Sequence, residues 1–280
     1  RRKALLTEKL RVLHFAESGR LGEKMLILDR VGSAQEWCMA QKKAGNTIGL
    51  VPTMGYLHEG HLSLVEQARS KCDIVVVSIF VNPIQFGVGE DFETYPRDLS
   101  RDQDLLEEKH VDALFAPSIS EMYPPGYRTF VEVGGEITAK LCGASRPGHF
   151  KGVTTVVSKL FNICVPDKAF FGQKDAQQVM VIEKMVRELN FPLEIVRVPI
   201  VREEDGLAKS SRNVYLDAEQ RQQALVLSRA LKEAHSRIER GERDVARLKE
   251  IMREVIAASP QAIIDNVEIY DAADLGDVDQ

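Results

Sequence analysis

Apolar residues along the chain fall into two alternating patterns. Short, nearly continuous runs occur at 25–28, 48–51, 74–81, 111–116, 169–171 and 193–198, with the length and β-branching of strands covered on both faces. Between them the apolar positions recur at helical spacing: from a cap at Ser33 to near Gly45, from Gly60 to about Lys71, from Leu99 to Lys109, over 153–165, and onward from Gln177-Gln178. Residues 129–133 are a further candidate strand. Strands and helices alternating through residue 198 predict an α/β fold built on a doubly wound parallel sheet. From Val201 the rhythm changes to a polar turn, two long helices over 217–240 and 244–258, and one strand over 263–270. This second pattern predicts a smaller α+β C-terminal domain, with a boundary near Pro199. One strand cannot form its own sheet, so that domain reads as truncated at residue 280. Residues 1–24 are basic and end in Ser18-Gly19-Arg20-Leu21-Gly22, a linker behind an N-terminal extension.

Composition narrows function more than fold. A chain of 280 residues, 44% of them apolar, can bury a substantial core. The net charge is −5 with acids and bases interspersed, which argues against a general nucleic-acid or membrane-surface binder and for a small-molecule partner. Cys38, Cys72, Cys142 and Cys164 are scattered without a Cys-x-x-Cys pair, so neither a zinc site nor a disulfide framework is indicated. Reduced thiols fit a cytoplasmic protein. No apolar run has membrane-spanning length and no signal-peptide core is visible, so a soluble protein is expected.

Candidate chemistry concentrates where the strands end. After Ile48-Gly49-Leu50-Val51, Pro52 removes a backbone donor and is expected to stop the strand. Thr53, Met54 and Gly55 turn the chain, Gly55 and Gly60 permit close approach to a ligand, and a helix follows. His58 and His61 therefore stand at a helix N-terminus, where unpaired N–H groups and the dipole favour an anion such as phosphate. A histidine pair three residues apart is more often a helix cap, and zinc would need a further ligand. Asn82 and Gln85 follow the third strand, where open α/β sheets bind ligands; their amides suit a hydroxyl, a carboxylate or a loop cap. Gly87-Val88-Gly89 is not a dinucleotide loop, because the third glycine is missing and Glu90-Asp91 would repel a pyrophosphate. Arg146, His149 and Lys151 lie in a glycine-flanked loop, which suits an anion contact or plain solvated charge. Gly172-Gln173-Lys174-Asp175 again places a turn before a helix: Lys174 can neutralise phosphate, and Asp175 can cap the helix or hold a ribose hydroxyl. Lys209-Ser210-Ser211-Arg212 gathers two hydroxyls, an ammonium and a guanidinium, a set able to clamp a polyphosphate leaving group.

Taken together and in order, these stretches resemble the pantoate–β-alanine ligase (pantothenate synthetase) family of the HIGH/KMSKS-type nucleotidylyltransferase superfamily. The resemblance runs from about Met25 to Gln280. It rests on Val51-Pro52-Thr53-Met54-Gly55 with His58 and His61, on 78–86, on Tyr95-Pro96-Arg97, on 145–150, on Gly172-Gln173-Lys174-Asp175 with Gln178, and on 205–213. It implies a Rossmann-like ATP- and pantoate-binding domain over 25–199 and a C-terminal lid domain over 200–280. The implied reaction condenses pantoate with β-alanine at the expense of ATP, through a pantoyl-adenylate. Residue by residue, the resemblance puts Pro52, Thr53, Met54, Gly55, His58, His61, Gly172, Lys174, Asp175, Val201, Lys209, Ser210, Ser211 and Arg212 at ATP. His61, in the proton-donor position, acts with His58, Lys174 and Arg212 as the catalytic set. Asn82, Gln85 and Gln178 fall on the acid substrate. Mg²⁺ is implied on the ATP phosphates with no protein ligand, and a homodimer is implied as the assembly. The family usually carries an apolar residue at Lys209 and a glutamate at Gln173; the first departure adds a cation beside the phosphates and the second removes an anion. A nucleotidylyltransferase acting on a phosphorylated substrate would need a second phosphate site, whereas Gln85 and Gln178 suit an uncharged pocket for a polyol carboxylate.

Overall fold

The computed structural model describes residues 24–278. The extension expected over 1–24 lies, Lys24 apart, outside the described residues. Six strands, β1 (Leu26–Leu28), β2 (Ile48–Thr53), β3 (Ile74–Ile79), β4 (Ala113–Phe115), β5 (Lys168–Gly172) and β6 (Glu194–Val198), form one sheet in the order β1-β4-β3-β2-β5-β6. Every pairing is parallel. Helices α1 (Val31–Lys43), α2 (Glu59–Lys71) and α3 (Leu99–Glu108) return the chain between the first four strands. Three single turns, α4 (Ile119–Met122), α5 (Glu136–Ala139) and α6 (Cys142–Ser145), then lead into the long helix α7 (His149–Cys164), and α8 (Ala176–Glu188) joins β5 to β6.

Both faces of the sheet are covered, and side chains alternate between them. Ile48 and Leu50 of β2 share one buried cluster with Trp37 of α1 and Leu160 of α7, while Val51 belongs to the other with Leu64 and Val65 of α2 and Leu106 of α3. β3 divides Ile74 and Val76 from Val75 and Val77 in the same way. Double-sided burial is why these strands read as continuous apolar runs rather than alternating ones. The chain travels outward through β2, β3 and β4, then recrosses to place β5 on the other side of β2. The carboxyl ends of β2 and β5 thus border the topological switch point, the position where open sheets of this kind leave a crevice.

Several boundaries differ from the sequence reading for identifiable reasons. Pro52 does not stop β2: it pairs in register with Ser78 of β3, and the strand runs on to Thr53. Ile48 N bonds Asp167 on the β5 side and Thr53 O accepts from Phe80 on the β3 side, so alternation turns the Pro52 nitrogen toward β5. The β2–β5 ladder ends at Leu50 and Ala169, so no donor is missed there. Helix α1 begins at Val31 rather than at a Ser33 cap, because Glu121 accepts the Val31 N–H at 2.9 Å. Residues 129–133 form no strand; Thr155 and Thr154 of α7 take up the Val131 N–H and carbonyl instead. α7 starts at His149, four residues early, on a left-handed Gly148.

Beyond β6, the helix expected over 217–240 is two, α9 (Ala218–Ala224) and α10 (Val226–Glu239), joined at Leu225. α10 packs on α11 (Val245–Ala257) through Ala230, Ala234, Met252 and Ile256. Residues 263–270 form no ladder strand; Tyr270 makes one bridge, to Asp277. That last segment returns to the main core, where Tyr270 and Leu275 pack and Lys140 Nζ donates to the Leu275 carbonyl at 2.9 Å.

Candidate active site

The turn after β2 is built by hydrogen bonds that its sequence partly announces. Thr53 Oγ1 donates to Ser78 O at 2.8 Å and accepts from Gly55 N at 3.2 Å. Gly55 and Tyr56 then adopt left-handed conformations, at φ 83° and 50°. Asp102 of α3 holds this strained pair: its two carboxylate oxygens accept the Tyr56 and Leu57 N–H groups, each at 2.7 Å. Burial pushes the Asp102 carboxyl above its ordinary range, and the two backbone donors pull it back. Asp102 was not singled out from sequence; one acid in a charged helix gives no local sign that it is 1% exposed.

His58 caps α2, with Nδ1 accepting from Gly60 N at 3.1 Å, and His61 Nδ1 accepts the His58 N–H at 3.4 Å. A nitrogen that accepts carries no proton, so each neutral ring keeps Nε2–H as its free donor. Burial, with Lys174 nearby, lowers His58 to about 4; burial, His58 and Lys174 lower His61 to about 3. Both imidazoles are therefore neutral at pH 7. Their rings lie 4.1 Å apart, and a Cβ at Gly60 would stand 2.8 Å from the His58 ring.

These groups border a cleft at the switch point. From β2 and its turn come Pro52, Thr53, Met54 and His58; from the first turn of α2, His61; from the segment after β3, Asn82 and Gln85; from the turn before α8, Lys174 and Asp175, and from α8 itself Gln178; from the C-terminal part, Ser210, Ser211 and Arg212. Gly172, Val201 and Lys209 line an adjoining recess with the same histidines. Lys209 Nζ also lies 3.1 Å from Glu59 of α2. Gly55 alone of the expected set lines neither; it backs the turn and faces a separate cavity with Asp102.

Asn82 and Gln85 play different parts. Asn82 is 1% exposed and spends its amide on the protein: Oδ1 accepts from Tyr123 Oη at 2.8 Å, and Nδ2 donates to Gln85 Oε1 at 2.9 Å and Gly152 O at 3.1 Å. It therefore orients Gln85, whose Nε2 lies 3.4 Å from Met54 Sδ. Gly152 is required for this approach, since a Cβ there would meet Ile84 O at 2.4 Å and Gln85 Cα at 2.5 Å. His149 supports the same turn by donating from Nδ1 to Gln85 O at 2.9 Å, while its Nε2 accepts from Arg146 at 3.2 Å. Phe80, Val153, Val156, Val157, Leu160 and Phe171, all members of the main core, also give the cleft an apolar wall. The α7 stripe is both, because its N-terminal half emerges beside the switch point.

Arg212 is engaged by Asp91, whose carboxyl it holds below the usual range. Ser211 Oγ donates to Tyr56 O at 3.1 Å, tying the C-terminal motif to the β2 turn. No helix among the described residues is long and apolar enough to cross a membrane.

Comparison with known proteins gives a consistent result. The family model described as pantoate-beta-alanine ligase matches residues 26–280. The pantothenate synthetase of Syntrophomonas wolfei is 66% identical over 254 residues, covering 91% of this chain and 90% of its own. That of Heliobacterium modesticaldum is 63% identical over 247 residues, 88% of each. Among solved structures, pantothenate synthetase from Thermus thermophilus is similar with a TM-score of 0.86 and 48% identity, over 91% of this chain and 90% of its own. Pantoate-beta-alanine ligase from Francisella tularensis, solved with beta-gamma ATP and beta-alanine, is similar with a TM-score of 0.72 and 37% identity, over 83% of this chain and 85% of its own.

Proposed function

The chain belongs to the pantoate–β-alanine ligase family, and on that premise we propose how the cleft between β2 and β5 carries out the family's reaction. The enzyme is an AMP-forming acid–amine ligase of pantothenate biosynthesis: it condenses pantoate with β-alanine and converts ATP to AMP and pyrophosphate through a pantoyl-adenylate.

In the first step a pantoate carboxylate oxygen bonds the α-phosphorus of ATP in line with the departing pyrophosphate. Such a displacement needs no enzyme nucleophile, only alignment and stabilisation of charge on the phosphoryl and leaving oxygens. The α2 N-terminus and the Nε2–H donors of His58 and His61 suit the α-phosphate; being neutral, the rings donate without the cost of a buried imidazolium. Lys174, Lys209 and Arg212, with the Ser210 and Ser211 hydroxyls, suit the departing pyrophosphate. Asp175 suits the ribose. Gln85 and Gln178 fit the hydroxyls and carboxylate of pantoate, Asn82 holding Gln85 in place, and the apolar wall under α7 fits its methyl groups. In the second step β-alanine, its ammonium having lost one proton, attacks the acyl carbon as the free amine; the C–O bond to AMP breaks, AMP leaves with the carboxylate oxygen it gained, and the nitrogen releases a second proton to solvent as the amide forms.

Among the described residues no three His, Cys, Asp or Glu side chains gather to hold an ion. Mg²⁺ would therefore be held by ATP phosphate oxygens and water in place of a protein cage, and there it would neutralise phosphate charge. The division into a nucleotide-binding part over 25–199 and a lid over 200–280, a homodimeric assembly and a cytoplasmic location belong to the same proposal. The observation that carries it is the meeting of both histidines, Lys174, Gln178, Gln85 and the 210–212 motif around one cleft. The test is steady-state pantothenate formation by His61→Ala and Gln178→Ala. We expect kcat to fall about 100-fold or more in the first, and the pantoate KM to rise in the second. Parent-like kinetics in both would overturn the assignments.

A further inference from the structure

Residues 87–95 run between two arginines that line the cleft, and two consecutive carboxylates hold them. Glu90 accepts from Arg146 Nε at 2.8 Å and Nη2 at 2.5 Å; Asp91 accepts from Arg212 Nε at 2.7 Å and Nη2 at 2.9 Å. The acids that argued against a dinucleotide loop are thus spent on guanidinium groups. Asp91 grips one edge of the Arg212 fork, and among the described residues Nη1 makes no hydrogen bond. Tyr95 lies under the same guanidinium, 5.2 Å from ring centre to Cζ, and Tyr215 Oη donates to Thr94 O at 3.0 Å, closing the loop onto the Arg212 turn. A bidentate fork fixes the plane of the guanidinium and an aromatic ring fixes its height.

We propose that Asp91 is a positioning residue: it preorients Arg212 by the Nε/Nη2 edge so that Nη1 is presented to the phosphates of ATP during adenylation. Asp91 does not itself touch substrate. Its negative charge weakens the attraction of Arg212 for an anion at a distance, but in a half-exposed site that long-range loss is screened. Orientation at contact is not screened, and a side chain already fixed loses no rotamer freedom as charge develops. Orientation therefore wins. The proposal rests on Arg212 being one of the cations that meet the leaving group in the cleft.

The test is steady-state pantothenate formation by the full chain with ATP, pantoate and β-alanine. Asp91→Asn, isosteric and neutral, is expected to lower kcat about tenfold, since misplacement near the reacting atoms is costly, while the pantoate KM changes by less than about twofold. Asp91→Glu keeps the carboxylate and is expected to retain an intermediate kcat; it reads the same orientation should Asp91→Asn not fold. In an Arg212→Lys background, which has no fork to orient, the Asp91→Asn step is expected to cost little. Glu90→Gln releases Arg146 but leaves the Arg212 fork, and is expected to cost less than Asp91→Asn. A kcat for Asp91→Asn equal to or above the parent, with Arg212→Lys impaired, overturns this proposal alone. A loss in Glu90→Gln as large as in Asp91→Asn also overturns it, by showing that loop anchoring is what matters. Full turnover in Arg212→Lys overturns the reading of Arg212 and this proposal with it.

Discussion

His58 and His61 are each both a structural cap and a cleft-lining donor, so the plain reading of the pair and the functional one describe the same two rings. Capping fixes the tautomer, and the tautomer decides what each ring offers a phosphate. It also couples the pair to stability. Folded-state values of about 4 and about 3 lie below the ordinary 6.5, so the unfolded chain binds these protons first as the pH falls. The contribution is fully present above pH 6.5 and is lost on descent through about 4 and about 3, by up to about 1.4 kcal/mol per group per pH unit. Urea melts at pH 7 and pH 5 check this. The double variant His58→Gln/His61→Gln should lose less stability over that interval than the parent; equal losses would contradict the assignment.

At the scale of elements, the cleft depends on how closely α7 meets the 83–85 turn. Gly152→Ala would drive a Cβ into the backbone of Ile84 and Gln85, atoms that cannot swing aside. Overpacking of this kind typically costs about 1–3 kcal/mol. Kinetics should show kcat/KM for pantoate falling about tenfold or more, with the ATP KM little changed; an equal loss for both substrates would point to general unfolding instead. The strands were legible because burial on both faces writes itself as unbroken apolar runs, and the turns after β2 and β5 because glycine precedes a helix there. Contacts made between distant segments were not. Asp102 beneath the Gly55–Tyr56 turn, Asp91 on Arg212 and the apolar wall of α7 each depend on a partner tens of residues away, and no local pattern marks them. The supposed strands at 129–133 and 263–270 show the converse. Their β propensity is real, but the sheet already has β1 and β6 at its edges and pairs with neither segment.

Over the whole molecule, one parallel sheet carries the histidine turn after β2 and the amides of Gln85 and Gln178 to one cleft, while the segment after β6 contributes Ser210, Ser211 and Arg212 to it. The C-terminal part is tied back at two places: by Ser211 on Tyr56 and Arg212 on Asp91 at the cleft, and by Tyr270 and Leu275 against the main core. On the proposed reading, both half-reactions take place in this one cleft. The most direct measurement is exchange of labelled pyrophosphate into ATP without β-alanine. Label should enter ATP only when pantoate is present, and His61→Ala should abolish most of that exchange. Exchange at the full rate without pantoate, or unchanged exchange in His61→Ala, would contradict the account.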